Sequence, residues 1–290
     1  MRGDRPSLTA SLVAAVRALY TELPPPYRVA PDPFAVDLLP AWLALPARAA
    51  GKAPAAAPMV HRIVGAASLG MATNVALRTR AIDDALREAI AGGGAQLVLL
   101  GAGLDARAAR LPELAGARVF EVDHPSTHRY KAERFRRIGD PAGARTVRVP
   151  IDFERDRLRD VLLDAGFDRD APAFWIWEGV TVYLSRAALD ATLAGVAELS
   201  APRSRLAVTY TRPGAHRRHP MIEPLVPLLG QIVGEAVRGM IETEALAGRL
   251  AALGFVRVSD ESAEQWAPRY WPFETEGREW ERLLVVEKMG

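Results

Sequence analysis

Two glycines and three acids, each set just after a short apolar run, carry the chemistry this sequence can be expected to do. Leu97 to Leu100 is an apolar run that reads as a fully buried strand, and Gly101-Ala102-Gly103 follows at once. One glycine allows a tight turn; a second lets the backbone approach a ligand with no Cβ in the way. Leu104 to Leu111 reads as the helix leaving that turn, its first free N–H groups aimed at the ligand. Arg118 to Val122 is a second strand ending in Asp123, 22 residues after Gly101. That is close to the roughly 20 residues expected for an acid that accepts hydrogen bonds from a ribose. Thr146 to Val149 is a third strand, followed by Asp152-Phe153, and Ala173 to Trp177 is a fourth, followed by Glu178-Gly179. Ligands of a parallel sheet bind outside the C-terminal strand ends. A single solvated acid after a strand is ordinary. Strand ends carrying Gly101/Gly103, Asp123, Asp152 and Glu178 in register describe a pocket with a glycine floor and acidic walls. Such a pocket suits a ligand with a ribose, an exocyclic amine and an ammonium group.

The elements that must hold these residues follow from periodicity. Ser7 to Leu19 reads as a helix capped by Ser7, with Leu8, Leu12, Val16 and Leu19 at helical spacing. Thr21 to Pro33, with five prolines, is an irregular connector. Phe34 to Leu43 is a short helix. Leu45 to Pro58 is rich in Ala and Pro, has little to pack, and is expected to be mobile. Met59 to Ala91 is mostly helical, and Gly92-Gly93-Gly94 stops it. The sheet alternates with helices over Thr127 to Ile138, Arg155 to Ala165 and, capped by Ser185, up to Leu199. Arg205 to Tyr210 is a fifth strand. A helix capped by Thr243 ends at Gly254, and Phe255 to Val258 with Arg282 to Val286 completes seven strands. The expected organisation is a helical cap and substrate wall over residues 1–94, then a doubly wound α/β domain over 95–290. An insertion at 211–240, too long for an ordinary strand-to-helix connection of about 2 to 6 residues, serves as a lid.

Composition narrows the class. The chain has 290 residues, and its 49% hydrophobic content is ample for a core, so disorder is not expected. A net charge of +2 with no isolated Lys/Arg run argues against a nucleic-acid partner. The absence of cysteine excludes disulfides, thiolate metal sites and a cysteine nucleophile. The first residues lack the apolar core and cleavage site of a signal peptide, and no 18-residue apolar run is free of charge. A cytoplasmic protein with no membrane partner is expected.

The glycine turn alone does not name the nucleotide, because Gly101-x-Gly103-x-x-Ala106 also satisfies the dinucleotide fingerprint. Against a nicotinamide-dependent oxidoreductase, the turn follows a long helical segment instead of opening the chain. Tyr183 also has Ala187 four residues on, where a Tyr-x-x-x-Lys pair needs lysine. A non-enzymatic nucleotide binder is a third reading.

LRTRAIDDAL at 77–86, LLGAGLDARAARL at 99–111, VFEVDHP at 119–125, IDF at 151–153 and WEGVTVYL at 177–184 resemble the leucine carboxyl methyltransferase family. They are most similar to its bacterial branch of S-adenosylmethionine-dependent O-methyltransferases. The resemblance spans about residues 60 to 258 and departs in the insertion after Tyr210. It implies a class I methyltransferase-like sheet, mostly parallel, and S-adenosylmethionine as cofactor. It further implies Arg78 on the methionine carboxylate, a role for which Arg80 competes, and Gly101 and Gly103 against the methionine and ribose. Asp123 would accept the ribose hydroxyls. Asp152 would take the adenine amine while Phe153 packs on its ring, and Glu178 would lie near the methionine ammonium. The implied acceptor is a small polyketide-like molecule.

Methyl transfer to a carboxylate, whose pKa is near 4, needs no base, whereas a phenol, near 10, benefits from one. His216 and His219, in the insertion, and Tyr183 are the candidates for that role. No histidine has metal-ligand spacing with acids, and a solvated side chain is the expectation for His61, His124 and His128. Arg107 and Arg110 read as surface groups, and Trp175 and Trp177 as core. Tyr183 has an equal claim to simple packing.

Overall fold

The computed structural model describes residues 7–91, 96–139, 145–214, 238–271, 273 and 280–290. Its strands are β1 (Gln96–Leu100), β2 (Arg118–Asp123), β3 (Arg145–Pro150), β4 (Ala173–Trp177), β5 (Arg205–Tyr210), β6 (Phe255–Ser262) and β7 (Arg282–Lys288). They form one seven-stranded sheet in the order β3-β2-β1-β4-β5-β7-β6. The first five strands are parallel, and β7 runs antiparallel between β5 and β6. The order reverses between β1 and β2 on one side and β4 on the other. That switch point opens a crevice beyond the C-terminal ends of the strands.

The central strands are buried on both faces, which is why they read as unbroken apolar runs and not as alternations. Every residue of β1 and of β4 is buried. Trp175 and Trp177 are fully buried in the core on one face, with Phe120, Phe167 and Leu193. Leu97, Leu99, Phe174 and Ile176 point into the opposite core, where the long helix Met71–Ala91 packs. Truncating a tryptophan of this kind costs about 3–5 kcal/mol.

The helix Leu8–Glu22 starts where its cap predicts, with Ser7 Oγ accepting from Ala10 N at 3.0 Å. Ser185 likewise caps Arg186–Leu199. Elsewhere local chemistry redirected the chain. The expected helix over 34–43 breaks at Leu39-Pro40 into Ala35–Leu38 and Ala41–Gly51. The Ala/Pro-rich stretch expected to be mobile is helical in Ala41–Gly51 and Ala57–Ala67. Its alanines do have something to pack: Ala44, Ala47 and Ala57 are buried, and small side chains let helices approach closely. The helix expected over Leu104–Leu111 is one turn, Arg107–Arg110. Glu242, not Thr243, occupies the cap position of Thr243–Ala252; the Thr243 hydroxyl instead meets Tyr210 Oη at 2.8 Å. The structure adds a helix, Ala263–Tyr270, that begins at a capping box formed by Ser262 and Gln265. The Gly92-Gly93-Gly94 stop lies outside the described residues, as does most of the insertion, 215–237.

Candidate functional site

Arg78, Gly101, Gly103, Asp123, Asp152, Phe153, Glu178 and Tyr183 line a single cavity of about 320 Å³ at the C-terminal edge of the sheet. They reach it from five places: the helix Met71–Ala91 and the ends of β1, β2, β3 and β4. A sixth wall comes from within residues 1–94, the stretch expected as cap and substrate wall. The helix Leu8–Glu22 lays Ala10, Val13 and Arg17 across the opening.

The turn after β1 is built on the glycines. Gly101 has φ +70°, and a Cβ there would stand 2.3 Å from Val180 Cγ2. Gly103 has φ +51° and faces Ala10 of the covering helix, whose Cβ would be 3.3 Å from a Cβ at 103. The backbone conformation favours glycine at both positions, and at Gly101 the collision with Val180 adds to it. The backbone N–H groups of the turn are spent within the protein. Gly101 and Ala102 donate to Val122 O at 2.8 and 3.2 Å, Gly103 donates to Asp123 Oδ2, and Asp105 donates to Ala102 O. Arg107 N donates to Asp105 Oδ1 at 2.7 Å. The expected fan of free N–H groups at a helix start is absent from these positions, because the chain makes a turn there before it becomes helical. A pyrophosphate needs such donors; a ligand whose polar groups are hydroxyls, an ammonium and a carboxylate does not.

Asp123 is fixed by two backbone donors, Gly103 N on Oδ2 and His124 N on Oδ1. Each carboxylate oxygen keeps a lone pair for a ligand hydroxyl. Asp152 is half-buried and its Oδ1 accepts from Glu154 N at 3.1 Å. Phe153 packs its ring against the core while lining the cavity. Glu154 accepts from Ser185 N and Oγ, which fastens this loop to the start of the helix Arg186–Leu199. The loop after β4 is pinned to β5 by Gly179 N to Thr209 Oγ1 and Thr181 Oγ1 to Thr209 O, both 2.8 Å. Tyr183 follows on that loop. At the end of the insertion, Arg238 and Gly239 return to it, both donating to Val182 O. His216 and His219 lie outside the described residues.

A buried chain of ion pairs surrounds Glu178. Arg78 sets Nε and Nη2 on Glu178 Oε1 at 3.0 and 2.9 Å, and its Nη1 on Glu281 at the start of β7. Asn74 Nδ2 also donates to Glu281, at 3.3 Å. Arg107 donates to Glu178 Oε2 at 2.8 Å, to Asp105, and to Asp83 at 2.7 Å. Arg110 completes the pairing of Asp83 at 2.8 Å and approaches Asp32, which Arg17 also meets at 3.4 Å. Arg107 and Arg110, expected at the surface, have side chains 0% and 2% exposed. Carboxylates from distant segments neutralise them, and this makes their burial tolerable. Burial alone would push the Glu178 carboxyl up, but Arg107, Arg78 and Arg17 hold it well below the usual carboxylate range. Asp105 is lowered in the same way, against its own burial, mainly by Arg107 and Arg17. Burial opposes the charge on Arg78, yet Glu281 and Glu178 raise its pKa above the ordinary value. Arg80, the rival to Arg78, turns to Asp84 Oδ1 at 2.9 Å and Val29 O at 3.1 Å, and its side chain is 40% exposed.

Two of the histidines expected in solvent are buried. His61 Nδ1 meets Tyr20 Oη at 3.0 Å amid the rings of Tyr27, Trp271 and Phe273. His128 Nε2 meets Val149 O at 3.0 Å. Nothing in the local sequence marks Glu281 as a neighbour of the site. An Arg-x-x-Arg pair directly after a glycine turn was the one available hint for Arg107. Among the described residues no group of three or more His, Asp or Glu side chains is placed to hold a metal ion, and no helix is long and apolar enough to cross a membrane.

Comparison with known proteins adds to this geometry. The model of the leucine carboxyl methyltransferase family matches residues 10–197. A protein of Mycobacteroides abscessus, assigned as an S-adenosyl-L-methionine-dependent methyltransferase, is 38% identical over 232 residues, covering 80% of this chain and 71% of that protein. A second, similarly assigned, from Mycobacterium sp. (strain JLS) is 40% identical over 203 residues, covering 69% of this chain and 65% of its own length. The match thus spans about two thirds of the length of these curated relatives. Among solved structures, an assigned methyltransferase of Thermobifida fusca superposes with a TM-score of 0.59 at 17% identity, covering 99% of this chain and 97% of that one. Magnesium protoporphyrin IX methyltransferase of Synechocystis, solved with bound S-adenosylhomocysteine, gives 0.50 at 14% identity, covering 74% and 85%. At such identities the structural likeness speaks for the fold.

Proposed function

The chain belongs to the leucine carboxyl methyltransferase family and is an S-adenosylmethionine-dependent methyltransferase, and from that premise we propose that it methylates a carboxylate or hydroxyl oxygen of a small, polyketide-like acceptor. The observation that carries the cofactor part is the convergence of Arg78, Gly101, Gly103, Asp123, Asp152, Phe153 and Glu178 on one cavity. The residues fit the cofactor. The glycine turn leaves a cradle that a Cβ would fill, and Asp123 offers two fixed acceptors. Opposite charges on Arg78 and Glu178 stand side by side for an amino-acid zwitterion.

When bound, S-adenosylmethionine supplies a methyl group already activated on a sulfonium, so the protein's work is alignment and exclusion of water. Asp123 accepts from the ribose hydroxyls. Asp152 takes the adenine amine, and Phe153 packs on the ring. The N–H positions of Arg78 left over from Glu178 and Glu281 receive the methionine carboxylate. Glu178, held ionised by its arginines, faces the ammonium. On the acceptor side, Val13, Val180, Leu184 and Tyr183 make a largely apolar wall, suited to an apolar body with one oxygen to methylate. The helix Leu8–Glu22, within the cap, acts as a wall over the sheet domain. An ionised carboxylate acceptor needs no base. For a phenol, Tyr183 is a cavity residue available to contact the reacting hydroxyl.

A thermal-shift comparison tests the cofactor: S-adenosylhomocysteine should raise the melting temperature and NAD(H) should not. Stabilisation by NAD(H) alone would move the reading to an oxidoreductase. Methyl transfer from labelled S-adenosylmethionine to a panel of aromatic polyketide acids and phenols then tests the acceptor. Cofactor binding with no transfer to any of them would leave a non-enzymatic binder.

A further inference from the structure

The buried ion-pair chain around Glu178 does not balance. Its carboxylates are Asp32, Asp83, Asp105, Glu178 and Glu281, and its guanidiniums are those of Arg17, Arg78, Arg107 and Arg110. Five negative charges against four positive leave one in excess among the described residues. No member has a side chain more than 10% exposed. An uncompensated charge in such surroundings is costly, and the cost is relieved by a counter-cation. The chain opens at one place. Arg17, Arg78, Asp105 and Glu178 line the cavity, whereas Glu281, Asp83 and Asp32 do not. The place for a compensating cation is therefore the cavity itself.

We propose that this excess charge makes the site select the cationic cofactor over its neutral product, and that Glu281 is a positioning residue for that choice, acting through Arg78 without touching the ligand. The inference rests on the cofactor reading above. S-adenosylmethionine carries a carboxylate, an ammonium and a sulfonium, a net charge of +1. S-adenosylhomocysteine has lost the sulfonium charge with the methyl group and is neutral. Every other group is common to both, so what separates their affinities is the methyl and the charge. Glu281 has two roles in this arrangement. It draws Arg78 Nη1 away from Glu178, so Glu178 is not neutralised by Arg78 alone. It also supplies the fifth carboxylate. Transfer of the methyl group removes the counter-cation and returns the cluster to its unbalanced state, which favours product departure and rebinding of the charged cofactor. Glu281 lies beyond residues 10–197, so this property belongs to the part of the chain outside the family match.

The test is a ratio of affinities measured by titration calorimetry on the full chain. The probes are S-adenosylmethionine, S-adenosylhomocysteine and sinefungin, whose protonated amine replaces the sulfonium. Glu281→Gln keeps the side chain's shape and removes its charge. It should shift the preference for both cationic ligands over S-adenosylhomocysteine toward the neutral one by roughly fivefold, the order expected for a unit charge acting from beyond direct contact at an effective dielectric near 20. Glu281→Asp keeps the charge and should retain most of the wild-type ratio. General loosening of the site weakens all three ligands together and leaves the ratio unmoved. If Glu281→Gln does not fold, Asp83→Asn removes a charge further along the same chain and should shift the ratio in the same direction. A ratio unchanged in the folded variant overturns the proposal. Failure of the wild-type protein to bind any of the three would instead overturn the cofactor reading beneath it.

Discussion

Arg107 donates a hydrogen bond to Glu178 Oε2 at 2.8 Å across 71 residues of chain, with none of its side chain exposed. The same guanidinium serves Asp83 and Asp105, so one side chain ties the Met71–Ala91 helix, the glycine turn and the end of β4 together. Replacing Arg107 with Met should destabilise the fold by about 3–5 kcal/mol, because it leaves three carboxylates buried with reduced compensation. Urea unfolding of the variant against wild type reads this directly. A loss below about 1 kcal/mol would show that the network contributes little, as exposed pairs do.

The pH dependence of stability should carry the mark of Glu178. Its carboxyl sits below the ordinary value of 4.5, so its ionised form is favoured in the folded protein. The stability it contributes is present above that value and is lost as pH falls toward the lowered folded pKa. Glu178→Gln has no such titration. The gap in stability between wild type and Glu178→Gln should therefore narrow as pH drops below about 4.5. Parallel curves from neutral pH into acid would refute the linkage.

Asp123→Ala removes the two acceptor oxygens placed for a ribose. S-adenosylmethionine binding should weaken by about 1.5–3 kcal/mol, the range for hydrogen bonds to a charged group. Calorimetry on the folded variant decides this, and unchanged affinity would detach Asp123 from the site.

Arg78 and Arg80 are two residues apart and face different surroundings. Arg78→Ala should weaken S-adenosylhomocysteine more than adenosine, which lacks the carboxylate. Arg80→Ala removes a partly exposed pair with Asp84, a bond to Val29 O and the contact with the Tyr270 ring, and should cost about 1 kcal/mol of stability with no selective effect on either ligand. The reverse ligand pattern would place the carboxylate partner on the other face of the helix.

Gly101→Ala should destabilise the protein by about 1–3 kcal/mol from its positive φ alone, and by more from the approach to Val180. Combining it with Val180→Ala should recover the part due to the collision and leave the backbone part. Thermal melts of the single and double variants separate the two.

The amino-acid sequence by itself determined the sheet and the floor of the cavity. Buried parallel strands need unbroken apolar runs, so Leu97–Leu100 and Ala173–Trp177 were legible, as were the glycines that follow β1 and the acids at the ends of β2, β3 and β4. These signals are local: a side chain's alternation, a cap such as Ser7 or Ser185, or a positive φ is decided within a few residues. Only the tertiary structure decided which charges are buried. Arg107, Arg110 and Glu281 look in sequence like solvated surface groups, because a guanidinium or carboxylate carries no local mark of its partner. Their burial depends on carboxylates and arginines arriving from up to 203 residues away to offset the loss of water. The covering of the cavity by Leu8–Glu22 is of the same kind. Its amphipathic pattern required some apolar partner, and the packing of the whole chain chose the glycine turn.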